Sequence, residues 1–214
     1  VYKRLYLNGH PVFLSGLLDQ GYYGTSRLTP SSYQDYLDDI LKTKEMGFNC
    51  LRVHRKTEIP YFYYLADRYG ILLIQDFPCG GYRPKFLPTV LPRLFPSYSK
   101  EKHIHREKLG RKDDASLAVF EKERKEWIPF FHNHPSIIRE TIFNEGWGEA
   151  NPSYYYDLAK KLDSKRIFDT ASGWYEANRS DVFSIHTYTI PNRKRKNTFH
   201  RLFILSEIGG IGLK

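Results

Sequence analysis

Short apolar runs alternate with amphipathic segments along this chain, and that alternation limits the fold more than any other feature. Ile71-Leu72-Leu73-Ile74 is apolar throughout, and Cys50-Leu51-Arg52-Val53 and Ile137 to Phe143 are apolar, β-branched runs interrupted by polar residues. Runs of that kind read as strands covered on both faces. Between them, apolar residues recur at helical spacing. Tyr33, Tyr36, Leu37, Ile40 and Leu41 predict a helix from about Ser32 to Met46, with Ser32 and Asp35 as a capping box and Gly47 as the stop. A second helix starts near Pro60 and ends at Gly70. A third, capped by Asp113 or Asp114, carries Leu117, Phe120, Trp127 and Phe131 on one stripe, and Pro129 is expected to kink or shorten its last turn. Asn151-Pro152 opens a fourth as cap and first-turn residue. Further strands are expected at Val12-Phe13-Leu14, Arg166 to Thr170, Val182 to Ile185 and Arg201 to Leu205.

Strands alternating with helices imply a parallel sheet. Seven strands in this order favour an α/β fold of the (β/α)8, or TIM, barrel type over an open doubly wound sheet. No Gly-x-Gly-x-x-Gly follows the first strand, which counts against dinucleotide binding. The expectation is one domain over residues 1–214, truncated after the seventh strand. Pro78 to Asp114 is too long for an ordinary connection and is expected to be a functional loop or a mobile insert.

Composition narrows the class. Hydrophobic residues make up 41% of the 214 and aromatics 16%, enough for a packed core. No apolar run approaches the roughly 20 residues of a membrane span. Val1-Tyr2-Lys3-Arg4 offers neither Met nor an apolar leader segment, so no secretory signal is expected and the cytoplasm is the favoured compartment. Cys50 and Cys79 are too few for a disulfide framework and are expected as buried thiols. The net charge of +9 is concentrated in Lys100 to Lys112 and Arg193 to Lys196, read as solvated loops without a nucleic-acid motif.

In such a barrel, functional groups gather at the C-terminal ends of the strands. Those ends carry Arg52 and His54, Asp76, Asn144 and Glu145, Ser172 and Trp174, His186 and Tyr188, and Glu207. A polar ring with aromatic members suits a sugar, whose hydroxyls need donors and acceptors and whose C–H face packs on an aromatic ring. Glu145 and Glu207, each at the end of an apolar strand, supply the two carboxyl groups that glycosidic bond cleavage needs. One stays ionised and attacks; the other keeps its proton, its pKa raised by burial and by the approaching negative charge. Glu140, Glu149 and Glu176 read as solvated charges. His103 with His105, and His132 with His134, have the spacing of a metal clip but lack a third ligand, so no metal and no cofactor is expected.

Together these residues resemble glycoside hydrolase family 2, the β-galactosidases, β-glucuronidases and β-mannosidases. The likeness spans nearly all of the chain. It rests on Leu7 to Gly16, on Gly47-Phe48-Asn49-Cys50-Leu51-Arg52-Val53-His54, and on Tyr64 to Asp76. It rests most specifically on Asn133-His134-Pro135-Ser136-Ile137 leading into Phe143-Asn144-Glu145-Gly146-Trp147, and it closes on Leu205-Ser206-Glu207-Ile208-Gly209. The resemblance implies a retaining exo-β-glycosidase acting on a β-linked oligosaccharide or glycoside. Glu145 would be the acid/base, Glu207 the nucleophile, and Asn144 the neighbour that hydrogen-bonds the sugar 2-hydroxyl. Tyr188 would hold the nucleophile and Arg52 would support it, with His54, Asp76, Trp174 and His186 completing the substrate-binding ring. Arg52-Val53-His54-Arg55-Lys56 departs from the Arg-x-Ser-His-Tyr-Pro run of galactosidases and glucuronidases and is nearer the mannosidase-like branch. The family's β-sandwich domains and eighth strand have no counterpart in these residues. A catalytically inactive carbohydrate-binding barrel is therefore the alternative expectation, and any homo-oligomer would assemble through the missing domains.

Overall fold

The computed structural model describes residues 4–24, 26–94, 100–101, 105–188 and 201–209. A two-residue ladder opens the described chain, β1 (Tyr6–Leu7) with β2 (His10–Pro11). The barrel strands follow: β3 (Gly16–Asp19), β4 (Cys50–Val53), β5 (Leu72–Asp76), β6 (Ile137–Asn144), β7 (Ile167–Ser172), β8 (Val182–Thr187) and β9 (Leu202–Ile208). All pairings among them are parallel. β3-β4-β5-β6-β7 form one five-stranded sheet in chain order, and β8-β9 form a two-stranded one. Asp181 ties the two together: its N–H donates to the Phe168 carbonyl at 3.0 Å, and its carboxylate accepts from Phe168 N–H at 2.9 Å.

The helices are α1 (Tyr33–Glu45), α2 (Pro60–Tyr69), α3 (Phe86–Leu94), α4 (Asp114–Phe131) and α5 (Pro152–Leu162). Local sequence explains most of their ends. Ser32 N–H donates to the Asp35 carboxylate at 3.0 Å, satisfying an orphan donor at the start of α1. Gly70 ends α2 in the left-handed region that a Cβ disfavours. Asp113 caps α4 by accepting from Ser116 N–H at 2.7 Å, and Pro129 stands in a last turn that closes at Phe131. Asn151 precedes Pro152 as expected, but at φ 43 and without a side-chain cap bond.

Aromatic side chains fill the space between sheet and helices. Phe120 stacks on Phe143 at 5.1 Å and meets Tyr155 edge-on at 4.9 Å, while Tyr63, Phe131 and Trp127 continue the layer. Burying rings of this size contributes on the order of 1.5–3 kcal/mol each. Cys50 and Cys79 are buried free thiols.

Two expectations need correction, and a third, the long excursion expected as a functional loop or a mobile insert, gains structural detail. The first barrel strand is Gly16–Asp19 and not Val12-Phe13-Leu14. Phe13 is 84% exposed, and Val12 N–H instead bonds Leu5 beside the β1–β2 ladder. Gly16 lets β3 approach β4 closely, since a Cβ there would lie 3.2 Å from Cys50 Cβ. Second, Glu140 and Glu149 are not solvated: both are 0% exposed, and Glu176 is half-buried. Strand β6 has the barrel interior on one face and the helix layer on the other, so Glu140 has no wet side. Burial raises its pKa to about 8, with Arg166 Nε 3.4 Å away. Third, the long excursion contains α3 and packs against the loop after β6. Gly148 N–H donates to Leu109 O at 2.7 Å, Arg111 Nε donates to Gly148 O at 2.9 Å, and Tyr175 hydroxyl donates to Pro88 O at 2.6 Å. Arg193 to Lys196 and His103 lie outside the described residues. Among the described residues no helix is long and apolar enough to cross a membrane.

Candidate active site

Parallel strands bring their C-terminal ends to one rim, and the nine expected residues meet there. Arg52, on β4, is the hub. Its Nε donates to both Asp76 carboxylate oxygens at 3.0 and 3.1 Å. Its Nη2 donates to Asn144 Oδ1 at 2.9 Å and its Nη1 to Glu207 Oε1 at 3.0 Å. Nη1 also reaches the Ser206 carbonyl at 3.3 Å. One guanidinium thus joins the ends of β5, β6 and β9. Burial alone would lower its pKa, but Asp76 and then Glu207 raise it, so the cation is secured.

Glu145 leaves β6 by an unusual backbone. Its φ is 54 and that of Gly146 is 76, two left-handed residues in succession. That conformation costs a non-glycine residue on the order of 1–3 kcal/mol. Flanking bonds hold it: Glu145 N–H donates to Ser172 O at 2.8 Å and Trp147 N–H to Asn144 O at 2.9 Å. Gly146 is required beside it, because a Cβ would come within 2.5 Å of the Tyr175 ring.

His186, on β8, stands between the two glutamates. Its Nδ1 lies 2.8 Å from Glu145 Oε1, and its Nε2 lies 3.4 Å from Glu207 Oε1 and 3.1 Å from Ser172 Oγ. A serine ladder stands beside that ring. Ser206 Oγ donates to the Ile185 carbonyl at 3.3 Å, and Ser172 Oγ donates to Ser206 Oγ at 3.1 Å. Ser172 Oγ thus turns its hydrogen away from His186 Nε2, while Arg52 Nη1 lies 3.5 Å from the same nitrogen. Tyr188 hydroxyl donates to Glu207 Oε2 and lies 3.3 Å from Glu145 Oε1. Burial first, and then its bond to Glu207, raise the Tyr188 pKa. Trp174 meets the His186 ring edge-on at 6.0 Å, and Arg55 stacks over Trp147 at 5.0 Å.

One ligand atom each from Glu145, His186 and Glu207 lie within 4.8 Å of one another. They form a group close enough to hold an ion, although Arg52 already supplies positive charge to Glu207. Burial pushes the Glu145 pKa up, but the His186 bond, His186 charge, Tyr188 and Arg52 together outweigh it. The net direction is down, opposite to the elevation expected of a resting proton donor. Of the two histidine pairs expected to lack a third ligand, in one His132 pairs with Asp163 at 3.0 Å and His134 with Asp67 at 2.7 Å, while His103 of the other lies outside the described residues.

Sequence reading missed Gln20 and Ser206. Gln20 Oε1 lies 2.8 Å from His54 Nδ1, and His54 Nε2 lies 3.3 Å from Asn144 Nδ2 and 3.8 Å from Glu207 Oε1. The signal for Gln20 was its place just after Asp19, hidden by placing the first strand too early. Burial lowers the His54 pKa.

Comparison with known proteins agrees with this geometry. The family model of the glycosyl hydrolases family 2 TIM barrel domain matches residues 2–200. A GH2 β-galacturonidase from Eisenbergiella tayi, solved with galacturonate, superposes with a TM-score of 0.60 at 18% identity, covering 88% of this chain and 31% of that one. A β-glucuronidase from an uncultured Clostridium gives 0.60 at 20% identity, covering 87% and 31%. Parabacteroides merdae β-glucuronidase gives 0.55 at 17%, covering 86% and 21%. At such identity the likeness is one of fold, and the chain spans 21% to 31% of these solved relatives. The strand order, the strand-end ring and the family match lead to one conclusion: this chain belongs to glycosyl hydrolase family 2, as its TIM barrel domain.

Proposed function

We propose that this barrel is the catalytic domain of a retaining exo-β-glycosidase, with Glu207 as nucleophile and Glu145 as acid/base. The observation that carries this reading is the pair of carboxylates within 4.8 Å through their nearer oxygens, each touching Tyr188 and His186. Carboxyl groups about 5–5.5 Å apart belong to retaining enzymes, whereas inverting ones keep about 6.5–9.5 Å for a water. In the first step a Glu207 oxygen bonds the anomeric carbon as the glycosidic C–O bond breaks, and Glu145 gives its proton to the departing oxygen. In the second step Glu145 takes a proton from water, whose oxygen bonds the anomeric carbon and releases Glu207. Arg52 and Tyr188 hold Glu207 in place for attack. Asn144 is placed to bond the sugar 2-hydroxyl, with His54, Asp76, Trp174 and His186 shaping the rest of the subsite. The exo character and the β-linked substrate rest on the family resemblance.

The lowered pKa of Glu145 does not oppose this role. The bond that lowers it, to His186 Nδ1 at 2.8 Å, also aims the carboxyl.

The test is Glu207→Gly assayed on aryl β-glycosides. Hydrolysis should fall by several orders of magnitude, and azide should restore aglycone release by attacking from the vacated face, giving a glycosyl azide of inverted configuration. Unchanged hydrolysis, or azide that rescues nothing while the variant stays folded, would remove Glu207 from the nucleophile's role.

A further inference from the structure

We infer that Gln20 is a positioning residue: it accepts the Nδ1 proton of His54 and so holds the tautomer in which His54 Nε2 accepts from the Asn144 amide at the mouth of the site. The inference deepens the glycosidase reading and rests on it for its kinetic consequences, but the tautomer itself follows from hydrogen-bond bookkeeping alone.

The chain of constraint starts at Arg52. A guanidinium only donates, so at 2.9 Å from Arg52 Nη2 the Asn144 amide must present its oxygen. Asn144 Nδ2 is then the atom 3.3 Å from His54 Nε2. An amide nitrogen also only donates, so Nε2 must carry a lone pair and the imidazole proton must sit on Nδ1. Nδ1–H points at Gln20 Oε1, 2.8 Å away, and the glutamine must therefore present its oxygen. Each assignment leaves a single choice at the next. Gln20, directly after β3, ends a line that runs through His54 and Asn144 to the arginine touching Glu207.

Charging His54 would set donor against donor at Asn144. The charged neighbours of His54 act in both directions: Asp76 and Glu207 favour the cation, while Arg52 and Arg55 oppose it. Gln20 contributes a neutral acceptor on the far side of the ring, which selects the tautomer without favouring the cation as a carboxylate would. With its oxygen bound by Arg52 and one N–H bound by His54, Asn144 has one N–H left. It can serve only as a donor to an incoming hydroxyl oxygen, in a fixed direction.

The experiment is 15N NMR of histidine-labelled protein, with His54 assigned by comparison with His54→Gln. In the wild type the His54 shifts should show a neutral ring protonated at Nδ1, the less common tautomer. In Gln20→Leu the Nδ1 proton loses its acceptor, and a share of the Nε2–H form should appear as the Asn144 contact loosens. On aryl β-glycosides kcat should fall about tenfold to a hundredfold with little change in KM, as expected when a transition-state contact loses its aim. Gln20→Glu keeps an acceptor oxygen and should retain the Nδ1–H form and more of the activity than Gln20→Leu. A wild-type His54 protonated at Nε2, or a Gln20→Leu variant whose tautomer and kcat both stay as in the wild type, overturns the inference. If the wild type shows the Nδ1–H tautomer yet cleaves no glycoside, the glycosidase reading fails while the tautomer assignment stands.

Discussion

Glu145 is poised between a buried setting that keeps its proton on and a histidine that takes it off. The second influence prevails, and it comes chiefly from His186. A proton donor works only below its own pKa, so a lowered value places the alkaline limb of kcat/KM on the acid side of an ordinary glutamate-limited profile. Replacing His186 by Phe removes the Nδ1 partner at 2.8 Å and leaves burial as the main influence. The alkaline limb of kcat/KM should then move to higher pH, while the maximum rate falls because the carboxyl loses the partner that aims it. A profile that only drops in height, with its limb unmoved, would show that His186 has no hold on the acid. Ser206→Ala is the milder companion. It frees Ser172 to offer its hydrogen to His186 Nε2 and should shift the same limb in the same direction by less.

At the scale of elements, β6 carries the greatest tension. Glu140 faces the helix layer, where burial outweighs Arg166 and Arg124, and its proton stays on up to about pH 8 in the fold against an ordinary value of 4.5 in the unfolded chain. The folded state therefore binds an extra proton between those two values. Its contribution to stability is full below about pH 4.5 and is lost as pH rises through about 8. Glu140→Gln keeps the shape and cannot ionise. Its Tm should match the wild type near pH 5 and exceed it near pH 8.5, and equal Tm values at both would show that Glu140 stays charged in the fold. The strand itself was legible, because Ile137, Ile138, Ile142 and Phe143 bracket its polar centre and turn residues bound it. The charge within it was not, since a glutamate says nothing about which side its strand keeps dry. Helices α1, α2 and α4 were legible for a local reason: Ser32, Gly70 and Asp113 act within one turn of themselves. Strand β3 was misplaced because its evidence is tertiary. Gly16-Leu17-Leu18-Asp19 has little strand character alone, and only Cys50 lying against Gly16 explains it. Gln20 was lost with it, whereas Glu145 and Glu207 were found because each follows an apolar run that announces its own end. Helix α3 went unread because Pro88 and Pro92 inside it argue against a helix.

For the whole molecule, the ladder pattern divides the barrel into a five-stranded arc and the β8–β9 pair. Amide hydrogen exchange should follow that division, with β4 to β6 most protected and β9, paired only with β8 among the described strands, least. Slow exchange in β9 equal to that in β5 would argue that the described pairings understate closure. Arg52 spans the division, as do Ser172, His186 and Tyr188. Arg52→Leu strands Asp76 and Glu207 as buried carboxylates and should cost about 3–5 kcal/mol in denaturant unfolding, besides abolishing turnover. A stable, active Arg52→Leu protein would show that the ring organises itself without it. Because that guanidinium touches the ends of three strands, the positions of Asn144 and Glu207 are measured from a common origin. On the proposed function, a change in any acceptor of Arg52 would move the two glutamates relative to one another, so variation in which sugar fits is free to act only on loops outside that frame, such as the one carrying Trp147.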